Sequence, residues 1–164
     1  QIEAYDNEKE GYEREFERLG RKNVEIKHQR SLPGIGAINA VKIVARVVTP
    51  YRFPDKGHYL SYTGLMKLEK TSGGRSYGKK NPRYSRQLKS VYKSGAVAAI
   101  GGNNPINDYY EHLIQKESYP EYNARQKACR RLAVLSLGVF KSGKKYQPFR
   151  GNDVSISKEV ASGL

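Results

Sequence analysis

Between residues 2 and 26 the apolar and aromatic side chains Ile2, Tyr5, Tyr12, Phe16, Leu19 and Ile26 recur at alternating three- and four-residue steps. Lys9 and Asn23 complete the series, and Glu and Arg fill most positions between. That spacing is a heptad seam. It predicts a helical arm over residues 1–29, either half of a coiled coil or an amphipathic helix lying on its own domain. The helical pattern is already running at Gln1 with no capping residue before it, so the arm is expected to end a longer linker. Ser31-Leu32-Pro33-Gly34-Ile35-Gly36 then punctuates the chain, and 37–48 is apolar nearly all round, which predicts a buried helix. Pro50 and Pro54 mark a loop, and a short helical piece through Tyr59 and Tyr62 stops at Gly64. Weak strand signals in 65–68 and after Gly74 predict one short hairpin around 71–74.

Three further helices follow. Residues 88–100 are rich in small side chains, which lets a neighbouring helix come close. Asn104-Pro105 reads as an N-cap and first helical position, with Ile106, Tyr109, Tyr110, Leu113 and Ile114 as the apolar face. The last helix runs from about 121 to 141, with Ala124, Ala128, Leu132, Leu135 and Val139 inward. The expected fold is mainly α. It comprises a compact helical domain over 30–149 with a helix-hairpin-helix-like motif and a short β-hairpin, the coiled-coil-like arm at 1–29, and a small polar tail at 150–164 that is expected to fray.

Charge changes this picture from a scaffold to a binder. Thirty Lys and Arg oppose sixteen Asp and Glu in 164 residues, a formal net charge of +14, and such an excess favours a polyanionic partner. The chain has no apolar run near the 18 residues a membrane helix needs, so nucleic acid is the expected polyanion and a soluble, cytoplasmic protein the expected form. The single cysteine, Cys129, excludes an internal disulfide and sits in an apolar helical pattern, where a buried inert thiol is expected. With no CxxC, no HExxH and only His28, His58 and His112, a self-contained metal centre is not expected, and no cofactor is assigned to this stretch.

The cations are concentrated. Residues 67–93 hold nine Lys or Arg and one acid, Glu69, and 125–150 hold eight bases and no acid, whereas 94–124 hold four acids and one base. The two basic blocks are therefore expected to share a face. Within the first block Thr71-Ser72-Gly73-Gly74 exposes a hydroxyl, Ser72, in a strongly positive field, a candidate nucleophile toward a phosphodiester. Lys70, Arg75, Lys79, Lys80 and Arg83 are candidates to stabilise the charge that develops on phosphorus. Lys67, Arg86, Arg130 and Arg131, with Gly73 and Gly74, complete the expected nucleic-acid surface. In the LPGIG segment Gly34 and Gly36 are candidates to shape a hairpin whose backbone N–H groups grip a phosphate. A second reading makes the chain a non-catalytic helix-hairpin-helix module in which Ser72 is a loop residue and Tyr77 and Tyr84 stack on bases. A third makes it an assembly domain driven by the acidic arm.

The order of motifs points further: LPGIG before an apolar helix, Tyr59-Leu60-Ser61-Tyr62-Thr63-Gly64-Leu65, the Ser72-Gly73-Gly74 turn, a basic helix, NPINDYYEHL, then KACRRLAVLSLGVFKSGKKY. Over roughly residues 30–149 it resembles the C-terminal domain of bacterial insertion-sequence transposases of the IS110, IS116 and IS902 type, relatives of Piv-type DNA invertases. The resemblance implies a preceding RuvC-like domain that holds Mg2+ on an acidic cluster, and a nucleophilic serine that maps onto Ser72. It also implies a covalent 5′-phosphoserine intermediate in strand exchange, DNA as partner, and in many members a structured guide RNA encoded by the element. Homo-oligomerisation through the arm is expected as well. Where relatives carry a Gly-Asn pair before the basic helix, this chain has Lys79-Lys80-Asn81-Pro82-Arg83, a departure in that loop. Asp55, Glu69 and Asp108 are too dispersed to form a carboxylate cluster, so this stretch alone is expected to bind nucleic acid without cutting it.

Overall fold

A computed structural model describes residues 2–72, 75–80 and 83–148, and only the backbone over 2–7, 68–72, 75–77 and 79–80. The tail at 150–164 lies outside the described residues. The heptad seam does not form one helix. It divides into α1, Ile2–Lys22, and α2, Val24–Gln29, because the Asn23 side chain accepts a hydrogen bond from the Ile26 N–H at 3.1 Å and so caps a new helix. Its C-terminal part lies on the chain's own domain: Gly20 and Ile26 are buried, Arg30 forms two hydrogen bonds to the Glu17 carboxylate at 2.9 and 3.0 Å, and α1 packs on the helix α3, Ala37–Val47. Farther back, Tyr12 is 61% exposed.

Helix α3 buries one face, Ala40, Ile43 and Val47, and leaves Ala45 and Arg46 in solvent, so it is amphipathic and not buried all round. It ends abruptly. The Thr49 N–H reaches the Val47 carbonyl at 2.7 Å across Val48, whose φ of 61° and ψ of −58° define a strained γ-turn for a β-branched residue. A 3-10 turn, Pro50–Arg52, leads to α4, Lys56–Tyr62, capped by Asp55.

Three longer segments complete the domain: α5, Arg86–Ile100, α6, Pro105–Gln115, and α7, Glu121–Ser142. Asn104 caps α6 as its sequence predicts, accepting from the Ile106 and Asn107 N–H groups at 3.0 and 3.3 Å. Helix α7 is the centre of the packing and touches α2, α4, α5 and α6. Small residues allow this, since Ala128 and Ala133 on α7 and Gly95, Ala96 and Ala99 on α5 are all buried.

One polar chain crosses this core. The Tyr59 hydroxyl meets that of Tyr92 at 2.5 Å, Tyr92 donates to Ser136 Oγ at 2.7 Å, and Ser136 donates to Gln29 Oε1 at 2.6 Å. Gln29 Nε2 closes the chain on the Ser136 carbonyl at 3.1 Å. Four helices are thereby joined by groups that are all buried and all paired, an arrangement that fixes their register.

Between α4 and α5 the chain forms a two-stranded antiparallel ribbon, β1, Leu68–Ser72, and β2, Arg75–Lys80. The predicted hairpin is present, with its first strand three residues later than the 65–68 signal.

Candidate nucleic-acid interface

The ribbon register decides which residues stand opposite one another. Leu68 pairs with Lys80, Glu69 with Lys79, Thr71 with Ser76 and Ser72 with Arg75. The pairing shifts by one residue around Lys70, where Tyr77 and Gly78 stand opposite it and Gly78 takes a φ of 112° that suits glycine. The one acid of the basic block, Glu69, is thus paired with a lysine, and Ser72 with an arginine. Ser72 ends β1, and the pairing leaves two residues, Gly73 and Gly74, between the strands. Both glycines lie outside the described residues.

The base of the ribbon is clamped to the helical domain on both sides. On the entry side, Arg130 Nε of α7 donates to the Leu65 carbonyl at 2.8 Å. On the exit side, the Ser85 N–H donates to the Tyr62 carbonyl at 2.8 Å. Across the base, the Tyr84 ring lies so close to Gly64, at φ 70°, that a Cβ there would meet it at 2.4 Å. Lys89 Nζ sits 4.6 Å from the centroid of the same ring. Past this clamp, among the described residues, the strands share extensive contact only with each other. Ser72 is carried about 13 Å beyond Leu68 at the rise of a strand.

Lys67, Arg83 and Arg86 are exposed around that base. Arg130 joins them but is half-buried and engaged by the Leu65 carbonyl. Arg131 does not join them. Successive helix residues diverge by about 100°, and Arg131 stacks over Tyr109 of α6 at 4.5 Å, with Lys127 over Tyr119 at 4.1 Å on that same α6 side. The Tyr119 hydroxyl raises the Lys127 pKa above the ordinary lysine value. The two basic blocks therefore meet at Arg130 and part at Arg131. The base-stacking role expected for Tyr84 conflicts with its packing against Gly64 and Lys89, while the side chains of Tyr77, Lys70, Arg75, Lys79 and Lys80 lie outside the description.

Gly34 and Gly36 have different roles. Gly34, at φ 76°, lies against the backbone of α5, where a Cβ would meet the Gly95 carbonyl oxygen at 2.0 Å. Its close approach is to another helix. Gly36 is exposed at the start of α3, and nothing lies within 4 Å of where its Cβ would be.

Among the described residues no three His, Cys, Asp or Glu gather as a metal ion would need, so the donor set of these residues does not fit Mg2+. Asp55 is occupied in capping: its carboxylate accepts from the His58 N–H and pairs with His58 Nδ1, both at 2.9 Å, and these bonds hold its pKa below the usual range. The Cys129 thiol is buried and its pKa pushed up by that burial, the state of an inert thiol. The clamp partners Tyr62, Leu65 and Ser85 escaped sequence reasoning. They act through backbone groups, and Arg130 is 65 residues from its acceptor, so no local pattern marks the pair.

The family model described as "Transposase IS116/IS110/IS902 family" matches residues 27–111, just over half of the chain. The chain is 28% identical over 118 residues to an insertion element IS110 uncharacterized 43.6 kDa protein of Streptomyces coelicolor, covering 71% of this chain and 29% of that protein. It is 29% identical over 111 residues to an insertion element IS116 uncharacterized 44.8 kDa protein of Streptomyces clavuligerus, covering 67% of this chain and 28% of that one. It thus spans less than a third of the length of either relative.

Proposed function

Because the chain belongs to the IS116/IS110/IS902 transposase family, we propose that it is the part of a DNA transposase that presents Ser72 to a scissile phosphodiester at the tip of a basic ribbon. The observation that carries this reading is the ribbon register, which pairs Ser72 with Arg75 at the end of the ribbon and Glu69, the one acid of the basic block, with Lys79. A serine hydroxyl is a weak nucleophile, and a cationic surround both lowers the cost of its deprotonation and stabilises the added charge on phosphorus.

In the proposed step Ser72 Oγ attacks phosphorus, its proton passes to a base, the new Oγ–P bond forms and the P–O3′ bond breaks. The departing 3′ oxygen takes up a proton, and the 5′ phosphate stays on the serine. Attack by another 3′ hydroxyl reverses the step and joins new ends. The chain's own residues bind and orient the backbone, and the clamp at Tyr62, Leu65, Tyr84 and Arg130 fixes the ribbon to the helical domain. A divalent ion belongs, in this reading, to a separate RuvC-like domain. A guide RNA and a second copy joined through the arm are proposed as further partners of the whole protein.

The test separates binding from chemistry. In the whole protein with DNA, Ser72→Ala removes no charge, so it should bind like the parent and yield no covalent protein–DNA adduct. Adduct at the parent level would assign the nucleophile elsewhere, with Thr71 and Ser76 next to examine.

A further inference from the structure

Along the outer face of α5 runs an open groove of about 690 Å³, and we infer that it is a docking site for the phosphodiester backbone of DNA, distinct from the ribbon tip. Its floor is made of Ser90, Ser94 and Ala98, one helical turn apart, with the exposed Val97 beside them. Arg86, Lys89 and Lys93 supply its charge, and no acid lines it. Among the described residues none of these three cations is in an ion pair.

Two features of α5 favour a polyanion over another apolar occupant. The helix contains no Asp or Glu, and its first turn places Arg86 directly after the Ser85 cap, where the dipole is already positive and a cation is disfavoured. Such a placement concentrates positive potential at one end of the groove and leaves it unneutralised. From Arg86 to Lys93 is about 10 Å along the helix axis, roughly three phosphate-to-phosphate steps of one strand. The small floor lets a backbone approach closely, and Lys89 is steadied by the Tyr84 ring at the ribbon base. Asn39 of α3 donates from Nδ2 to Ser94 Oγ at 3.5 Å.

A strand lying here would pass the base of the ribbon, so the groove acts as a backbone rail for the DNA whose chemistry is assigned to Ser72. The inference rests on the reading of the chain as a DNA binder, and the test keeps the two apart. Duplex DNA affinity of the 164-residue chain is measured from 50 to 200 mM salt for the parent, Lys89→Gln/Lys93→Gln, Lys89→Arg/Lys93→Arg and the control Lys22→Gln/Lys116→Gln, each checked for helicity by circular dichroism. At about 0.9 of slope per phosphate contact, the Gln pair in the groove should lower the slope of log K against log salt by about 1.8. The Arg pair should keep the slope, and the control, which removes the same charge elsewhere, should change it by less than about half a unit. A parent that binds steeply while the groove pair leaves its slope unchanged overturns the groove alone. A parent with no salt-dependent binding overturns both readings. A loss seen with duplex RNA and not with DNA, or a change only in self-association by sedimentation, also overturns the inference.

Discussion

Replacing Gly34 by alanine is a severe test of how the LPGIG turn is built. The residue sits at φ 76°, and its Cβ would approach the Gly95 oxygen at 2.0 Å and the Ala99 nitrogen at 2.9 Å, both backbone atoms that cannot swing aside. Left-handed backbone costs an L-residue about 1–2 kcal/mol. Relieving the overlap requires the turn and α5 to separate by more than 1 Å, and overpacking of that kind costs about 1–3 kcal/mol. Together the loss is about 2–5 kcal/mol, a large part of a stability of roughly 5–15 kcal/mol. Gly36, two residues on, has open space around its Cβ position and a φ of −79°, so Gly36→Ala should cost only about 1 kcal/mol, the value of a poorer N-cap. Urea unfolding followed by circular dichroism measures both. With a urea slope of about 2 kcal/mol per molar, Gly34→Ala should lower the midpoint by about 1–2.5 M. A midpoint for Gly34→Ala equal to or above that of Gly36→Ala would refute the assignment of Gly34 to helix packing.

Tyr92→Phe should cost about 1–3 kcal/mol in the same assay, because it strands the buried Tyr59 hydroxyl that it meets at 2.5 Å and removes the donor to Ser136; an unchanged midpoint would mean the polar chain is dispensable. Burial raises the pKa of Tyr59 to about 12 and that of Tyr92 upward too. The folded state therefore favours the neutral phenols: their contribution is intact below the unfolded value of 10 and is lost as pH rises from 10 toward 12. Urea midpoints should fall across that range, and fall less in Tyr92→Phe. Val48→Gly should raise the melting temperature, since relief of about 1–2 kcal/mol of strain exceeds the added unfolded-state entropy of about 0.5–1 kcal/mol; a lower melting temperature would show that the γ-turn is held for another reason.

Much of the helical frame is legible in the sequence because local chemistry determines it. Asn104-Pro105 caps α6, and small residues line the α5–α7 contact. The arm is less legible, because a seam position and a cap compete for Asn23 and the side-chain hydrogen bond to Ile26 wins. Gly34 shows the same limit. A glycine needed for close approach looks identical in sequence whether the approaching group is a phosphate or the backbone of α5. At the candidate site, the cations and Ser72 are visible as composition, but their pairing across the ribbon depends on a one-residue shift at Gly78 that no alternation pattern announces. The divergence of Arg130 and Arg131 is likewise a matter of helix rotation, settled by the Leu65 carbonyl and the Tyr109 ring.

The central claim is that phosphorus becomes bonded to Ser72. The direct measurement is mass spectrometry of the covalent adduct trapped from the whole protein with its DNA, after nuclease and trypsin digestion. Cleavage after Lys70 and Arg75 isolates Thr71-Ser72-Gly73-Gly74-Arg75. The account predicts that this peptide carries a nucleotide linked through its 5′ phosphate, with fragment ions locating it on Ser72. An adduct located on Thr71, on Ser76 or on any other peptide would contradict it.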